Sequence, residues 1–219
     1  MANTITKTAS ILTAAILSCV LSLVAPAGAS IVAGDQVSLN NYDFNNGGSM
    51  TAYPFGPGSW QPFKTFCAQL DQNLYLGTPY NVDALAFSND SIVPRTLTEH
   101  TAWLYTAFLD DTLPNYVADV AHEAAVQYGV WRSMGYSDTD MVNHGAGFYL
   151  NAGGAKDRYF AYGWDQTPST WSGLGNVRVA VLKNPSNGSM AQDILVQVPE
   201  PATMSLLVMG GLALLARRK

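Results

Sequence analysis

Cys67 is the residue with the widest chemical scope in this chain. The only other cysteine, Cys19, lies in an apolar N-terminal stretch that reads as a removable leader. One odd cysteine in an exported chain implies intermolecular pairing, a reactive thiol or simple burial. As a nucleophile it would need a base. His100, His122 and His144 are the candidates, with an aspartate to orient the imidazole. That set describes a Cys-His hydrolase, but no local protease signature surrounds Cys67. Asp110-Asp111 and Asp138-x-Asp140 lack calcium-loop spacing and read as solvated turns and a helix N-terminus, so neither metal nor cofactor is expected. Tyr159, Tyr162, Trp164 and Trp171 cluster in a glycine-containing region, either as sugar-stacking rings or as core aromatics.

The elements that must position these groups follow from the pattern. Residues 31–39 alternate weakly and read as an edge strand, and 40–61 is rich in Asn, Gly, Pro and Ser and reads as an irregular loop. Residues 63–70 and 80–87 read as strands around a Gly77-Thr78-Pro79 turn. Thr96 and Glu99 fit a capping box, and Leu97, Thr101, Leu104 and Phe108 lie on one helical face. Pro114 precedes a second helix over 116–133, and a third over 137–150 is weakened by Gly145 and Gly147. Residues 177–182 and 194–198 close the body as strands. Strands, then helices, then strands predict an α+β fold.

On the second helix, a turn of about 100° per residue puts Val120, Ala121, Ala124, Tyr128 and Trp131 on the apolar arc. Gln127 falls at its edge beside Val120 and Trp131, with Asp119 and Glu123 outside. His122 is about 140° from Gln127, a poor position for a shared base. A primary amide against Trp and Val must find hydrogen bonds or lose roughly 1–3 kcal/mol.

The motifs Phe66-Cys67 and Val126-Gln127-Tyr128-Gly129-Val130-Trp131 together resemble the thioester domains of bacterial surface proteins. The family usually has Ala-Ile-Trp after Gln-x; Gly129 and Val130 stand in those places here, keeping small and β-branched character. The resemblance covers about 65 residues. It implies a bond between the Cys67 sulfur and the Gln127 side-chain carbonyl, formed with loss of ammonia. It also implies shielding by aromatics, here Phe66, Tyr128 and Trp131, in an antiparallel β-sandwich or barrel with an inserted helical subdomain. Amines would open the bond to an amide and hydroxyls to an ester, once per molecule, without enzymatic turnover.

The ends set the compartment. Lys7, an apolar run over 11–24 and Ala27-Gly28-Ala29 read as a signal peptide over 1–29, cleaved after Ala29. The body is then 30–198 and the tail 199–219. In the tail, Pro199-Glu200-Pro201 precedes a short apolar segment over 203–216 and the basic end Arg217-Arg218-Lys219. This closely resembles the PEP-CTERM sorting signal of Gram-negative, exopolysaccharide-producing bacteria. The resemblance implies recognition by exosortase, a membrane protease, a transient membrane span and delivery to the surface or matrix. The two Asn-x-Ser sequons, at Asn89 and Asn187, read as coincidence.

With 219 residues, 12% charged and a net charge of -5, the chain is charge-poor. Setting aside Lys7 and the terminal Arg217-Arg218-Lys219, seven basic residues face 16 acidic ones, which argues against a nucleic-acid partner. The reading is a surface or biofilm-matrix adhesin whose Cys-Gln thioester attaches once to a polysaccharide or protein nucleophile. The alternative is a non-covalent carbohydrate-binding or structural matrix protein with a merely buried Cys67.

Overall fold

Alternating burial along short β-branched runs builds a six-stranded antiparallel sheet in the computed structural model, which describes residues 31–40, 48–55, 61–151 and 154–198. The strands are β1 (Gln36–Asn40), β2 (Met50–Phe55), β3 (Phe63–Thr65), β4 (Pro79–Ala86), β5 (Val177–Lys183) and β6 (Ile194–Gln197), in the order β3-β2-β1-β4-β5-β6. The signal peptide and the PEP-containing tail lie outside the described residues.

The two edges of the sheet meet. Beyond β3, residues 66–68 run antiparallel to β6: Leu195 N donates to Phe66 O at 3.0 Å, and Ala68 N donates to Asp193 O at 2.8 Å. Thr65 Oγ1 adds a bond to Leu195 O at 2.6 Å. The result is a nearly closed barrel, which spares both short edge strands an unpaired face.

The period of two divides the core. Val37, Leu39, Tyr80, Leu182, Ile194 and Val196 fill the barrel interior. Val177, Val179 and Leu195 face the other way, onto helices inserted between β4 and β5. Cys67 packs against both cores.

Among the described residues, four α-helices make up the insertion: α1 (Glu99–Leu109), α2 (Val120–Ser133), α3 (Asp138–Asn143) and α4 (Ala155–Ala161), with a 3-10 turn at Gly147–Leu150. The expected apolar face of α1 is buried, Leu97, Thr101, Leu104 and Phe108 all being inaccessible or nearly so. Its cap is Thr98, whose side chain accepts from Thr101 N, so the Thr96–Glu99 box falls two residues early. Helix α2 begins at Val120, later than expected, because Asp119 caps it by accepting from His122 N at 2.8 Å.

The structure corrects four further expectations. The 31–39 stretch contains an interior strand, β1, paired with β2 on one side and β4 on the other. The supposed loop over 40–61 contains β2, whose Met50 and Ala52 point into the barrel. The third helix stops at Asn143, because the chain reverses at Gly145 with φ +79°, a conformation that favours glycine. Finally, α4 occupies part of the glycine-containing region before residue 177, where no helix was expected. Among the described residues no helix is long and apolar enough to cross a membrane.

Candidate functional site

The position of Cys67 follows from strand alternation. Phe66 O and Ala68 N pair with β6, so the N–H and C=O of Cys67 point away from β6. On that side β2 starts at Met50, opposite Thr65, and does not reach Cys67. Two main-chain groups would be left without partners in the interior.

Gln127 supplies both partners. Cys67 N donates to Gln127 Oε1 at 2.8 Å, and Gln127 Nε2 donates to Cys67 O at 2.9 Å. The carboxamide thus replaces a missing strand neighbour, and the two residues singled out by the motifs meet across 60 positions of sequence. Gln127 is 1% exposed. The amide whose burial needed hydrogen bonds finds them on Cys67 itself.

The segment around Cys67 is held on all sides. Asn89 Nδ2 donates to Ala68 O at 2.6 Å and contacts the Tyr136 hydroxyl at 2.9 Å. Its burial makes it a structural hub of the domain. Gln69 Oε1 accepts from Asp193 N at 2.6 Å. The Asp193 carboxylate accepts from Asp90 N at 2.7 Å and Leu182 N at 3.0 Å, and burial pushes its carboxyl up to about 7. On the helix side, Glu123 is buried and accepts from Ser49 N and Oγ, tying α2 to the start of β2. Glu123 therefore lies inside and Val120, 51% exposed, outside, the reverse of the predicted arc.

A cleft of about 470 Å³ opens beside the pair, lined by Cys67, Gln127, Trp131 and the segment from His144 to Tyr149. Burial pushes the Cys67 thiol up to about 12, so it is protonated at neutral pH. Tyr149, 2% exposed, is likewise pushed up by burial.

Of the three expected shielding aromatics, Trp131 lines the cleft. Phe66 turns instead toward α1, edge-on to Phe108 with centroids 4.7 Å apart. Tyr128 turns to α4, packing against Tyr159 at 5.5 Å and donating to Asp138 Oδ1 at 3.1 Å. The other aromatics on the cleft lining are Phe148 and Tyr149, which sequence reasoning assigned to a doubtful helix end. Their aromatic pairing after Gly145 was the available signal.

The hydrolase candidates are dispersed. His100 bonds Thr167 Oγ1 at 2.6 Å and the Tyr159 hydroxyl at 2.8 Å. His122 bonds Asp119 Oδ1 at 2.7 Å through Nδ1. Only His144 shares the Cys67 cleft. The acidic pairs are engaged elsewhere: Asp140 forms the capping box of α3 with Ser137, and Asp138 bonds Lys156. The aromatic cluster proposed for sugar stacking is mostly core. Tyr159 and Trp164 are buried, Trp164 Nε1 bonds Pro114 O at 2.9 Å, and Tyr162 stacks on His122 at 5.4 Å.

Comparison with known families matches residues 197–219 to the PEP-CTERM protein-sorting motif. The motif marks the chain as an exported protein, sorted to the cell surface by an exosortase-type membrane protease. No characterised protein and no solved structure matches the chain.

Proposed function

We propose that the protein is a surface adhesin of a Gram-negative matrix-forming bacterium whose Cys67 and Gln127 form a single-use internal thioester. Cys67 Sγ adds to Gln127 Cδ. The thiol proton leaves with the amide nitrogen as ammonia, and the C–N bond is replaced by C–S. The observation that carries the reading is the double hydrogen bond of the Gln127 carboxamide to Cys67. It holds the electrophilic carbon within the span of the residue that bears the sulfur. The Cys67 N–H on Oε1 is also aimed where negative charge develops during attack.

The thiol that burial keeps protonated is a poor free nucleophile and a poor metal ligand. Formation of the bond needs the proton moved once, to the departing nitrogen. Afterwards the cleft decides which nucleophile reaches the carbonyl.

The test is intact mass on fresh protein at neutral pH without added amine. The expected mass is one ammonia below the sequence value for the processed chain, with Cys67 refractory to alkylation while folded. Methylamine should restore an alkylatable thiol and leave methylamide on Gln127. A full mass with a freely alkylated Cys67 would return the chain to a non-covalent matrix protein. A mass about one unit above the sequence value marks a thioester already opened by water.

A further inference from the structure

We infer that the cleft over Cys67 and Gln127 is built for a neutral, hydroxyl-bearing carbohydrate, which would be captured as an ester in preference to a lysine amine captured as an amide. This rests on the thioester reading and names its substrate class. The volume of about 470 Å³ suits a small-molecule-sized group. Among the described residues, its lining holds no carboxylate, lysine or arginine. An ammonium at this cleft would meet no anion among the described lining residues. The polar side chains of the lining are chiefly amides, Gln72, Asn73, Gln127 and Gln192, beside His144 and Tyr149, with Gln192 Nε2 already donating to Gln69 O at 2.7 Å. Amides both donate and accept, as hydroxyls do.

Two further observations point to a bound oxygen-rich ligand. Trp131 is only 5% exposed and lines the cleft, yet among the described residues its buried Nε1–H finds no acceptor. A buried donor without a partner carries a cost that an acceptor reaching it from the cleft side would remove. Phe148, 43% exposed, packs on the buried Tyr149 with ring centroids 4.1 Å apart and leaves an exposed aromatic ring on the cleft lining.

The chemistry closes without another reactant. The hydroxyl oxygen bonds to Gln127 Cδ, the C–S bond breaks, and the hydroxyl proton ends on Cys67 Sγ. His144, on the cleft lining, is the group placed to carry that proton.

The test uses the full purified protein with methyl α-glucoside and Nα-acetyl-lysine methylamide at matched concentrations and pH 7. Adducts are read by intact mass, and hydroxylamine distinguishes the labile ester from the stable amide. The glucoside should add about tenfold faster or more, and equal or faster lysine addition overturns the inference. Trp131→Phe should slow glucoside addition about tenfold and methylamine addition less than about twofold, because only the larger ligand uses the indole N–H. Equal slowing of both would mean that Trp131 is merely structural and would overturn its assigned role.

Cys67→Ala cannot form the thioester but keeps the cleft. It should bind methyl α-glucoside, and not the lysine derivative, in saturation-transfer NMR. Loss of that binding overturns the carbohydrate inference even where wild-type mass shows ammonia loss. Binding without ammonia loss in the wild type overturns the ester step and the thioester together.

Discussion

A double-mutant cycle between Cys67 and Gln127 separates a covalent bond from a hydrogen-bonded clamp. Cys67→Ala leaves the main-chain N–H and C=O that hold Gln127. With no bond, it deletes one small half-buried group and costs about 1 kcal/mol. Gln127→Ala strands both main-chain groups, at about 1–3 kcal/mol each. Since Gln127 touches the backbone of residue 67, the two losses are then nearly independent, and their coupling should stay below about 1 kcal/mol. A thioester changes the arithmetic. It closes a 60-residue loop, worth about 4 kcal/mol in chain entropy, and either substitution alone removes all of it. The single variants together should then exceed the double variant by about 4 kcal/mol. Urea unfolding followed by tryptophan fluorescence gives the four free energies, and intact mass after each titration verifies that the crosslink survived. Coupling below about 1 kcal/mol in protein that has lost ammonia would refute the entropic reasoning; the same value at full mass would refute the bond.

Three other outcomes are expected. Asp193 has its carboxyl raised from 3.8 to about 7 by burial, with Asp90 and Asp71 adding to the rise. The folded state therefore holds the proton more tightly. Its stabilising contribution is fully present below 3.8 and is lost as pH rises through about 7, at up to about 1.4 kcal/mol per pH unit. Urea midpoints between pH 4 and 8 should show this decline, and Asp193→Asn should flatten it. Gly129→Ala should destabilise despite a helix-propensity gain of about 1 kcal/mol, because the new Cβ would sit 2.7 Å from Leu104 Cδ2 and press on the Tyr159 ring. The net loss should be up to about 2 kcal/mol, read as a lower melting temperature. Replacing Pro199-Glu200-Pro201 by alanines should leave Arg217-Arg218-Lys219 on the protein in the native host, detected by peptide mapping of the membrane fraction.

What could be read from sequence was what is written locally. β5 and β6 are β-branched runs between turn signals, and α1 carries its face at helical spacing. β2 escaped because Pro54 and the neighbouring glycines imitate a loop, although Pro54 merely sits late in the strand, opposite Val37. The face of α2 was misread because burial there is set by partners and not by hydropathy. Ser49 draws Glu123 inward, and Tyr159 reaches Gly129 from α4. The Ala that the thioester family carries at the Gly129 position would meet that ring. At the site, Cys67 and Gln127 were visible as motifs. The cleft wall from His144 to Tyr149 was not, since only the tertiary fold returns that segment to Cys67.

A carboxamide that completes a strand edge explains why residue 127 is Gln, but it makes no demand on the side chain at 67. Alanine there would serve the clamp equally well. The thiol becomes intelligible as the group that activates the Gln127 carbonyl and then leaves in the proposed capture step. β6 ends at Gln197, two residues before the Pro-Glu-Pro motif, and Val198 N is fastened to Asn176 O at 2.8 Å. β6 is also the strand against which residues 66–68 lie. A molecule held at the surface by its C-terminal end and at a distant acceptor by Gln127 would carry tension along the main chain between α2 and β6, with the seam hydrogen bonds bracing the domain beside that path. Hydrogen bonds across that seam are few, whereas the proposed acyl bond on Gln127 is covalent. The Thr65 Oγ1 bond to Leu195 O and the Gln69–Asp193 contact reinforce that seam and hold Cys67 in register with β6.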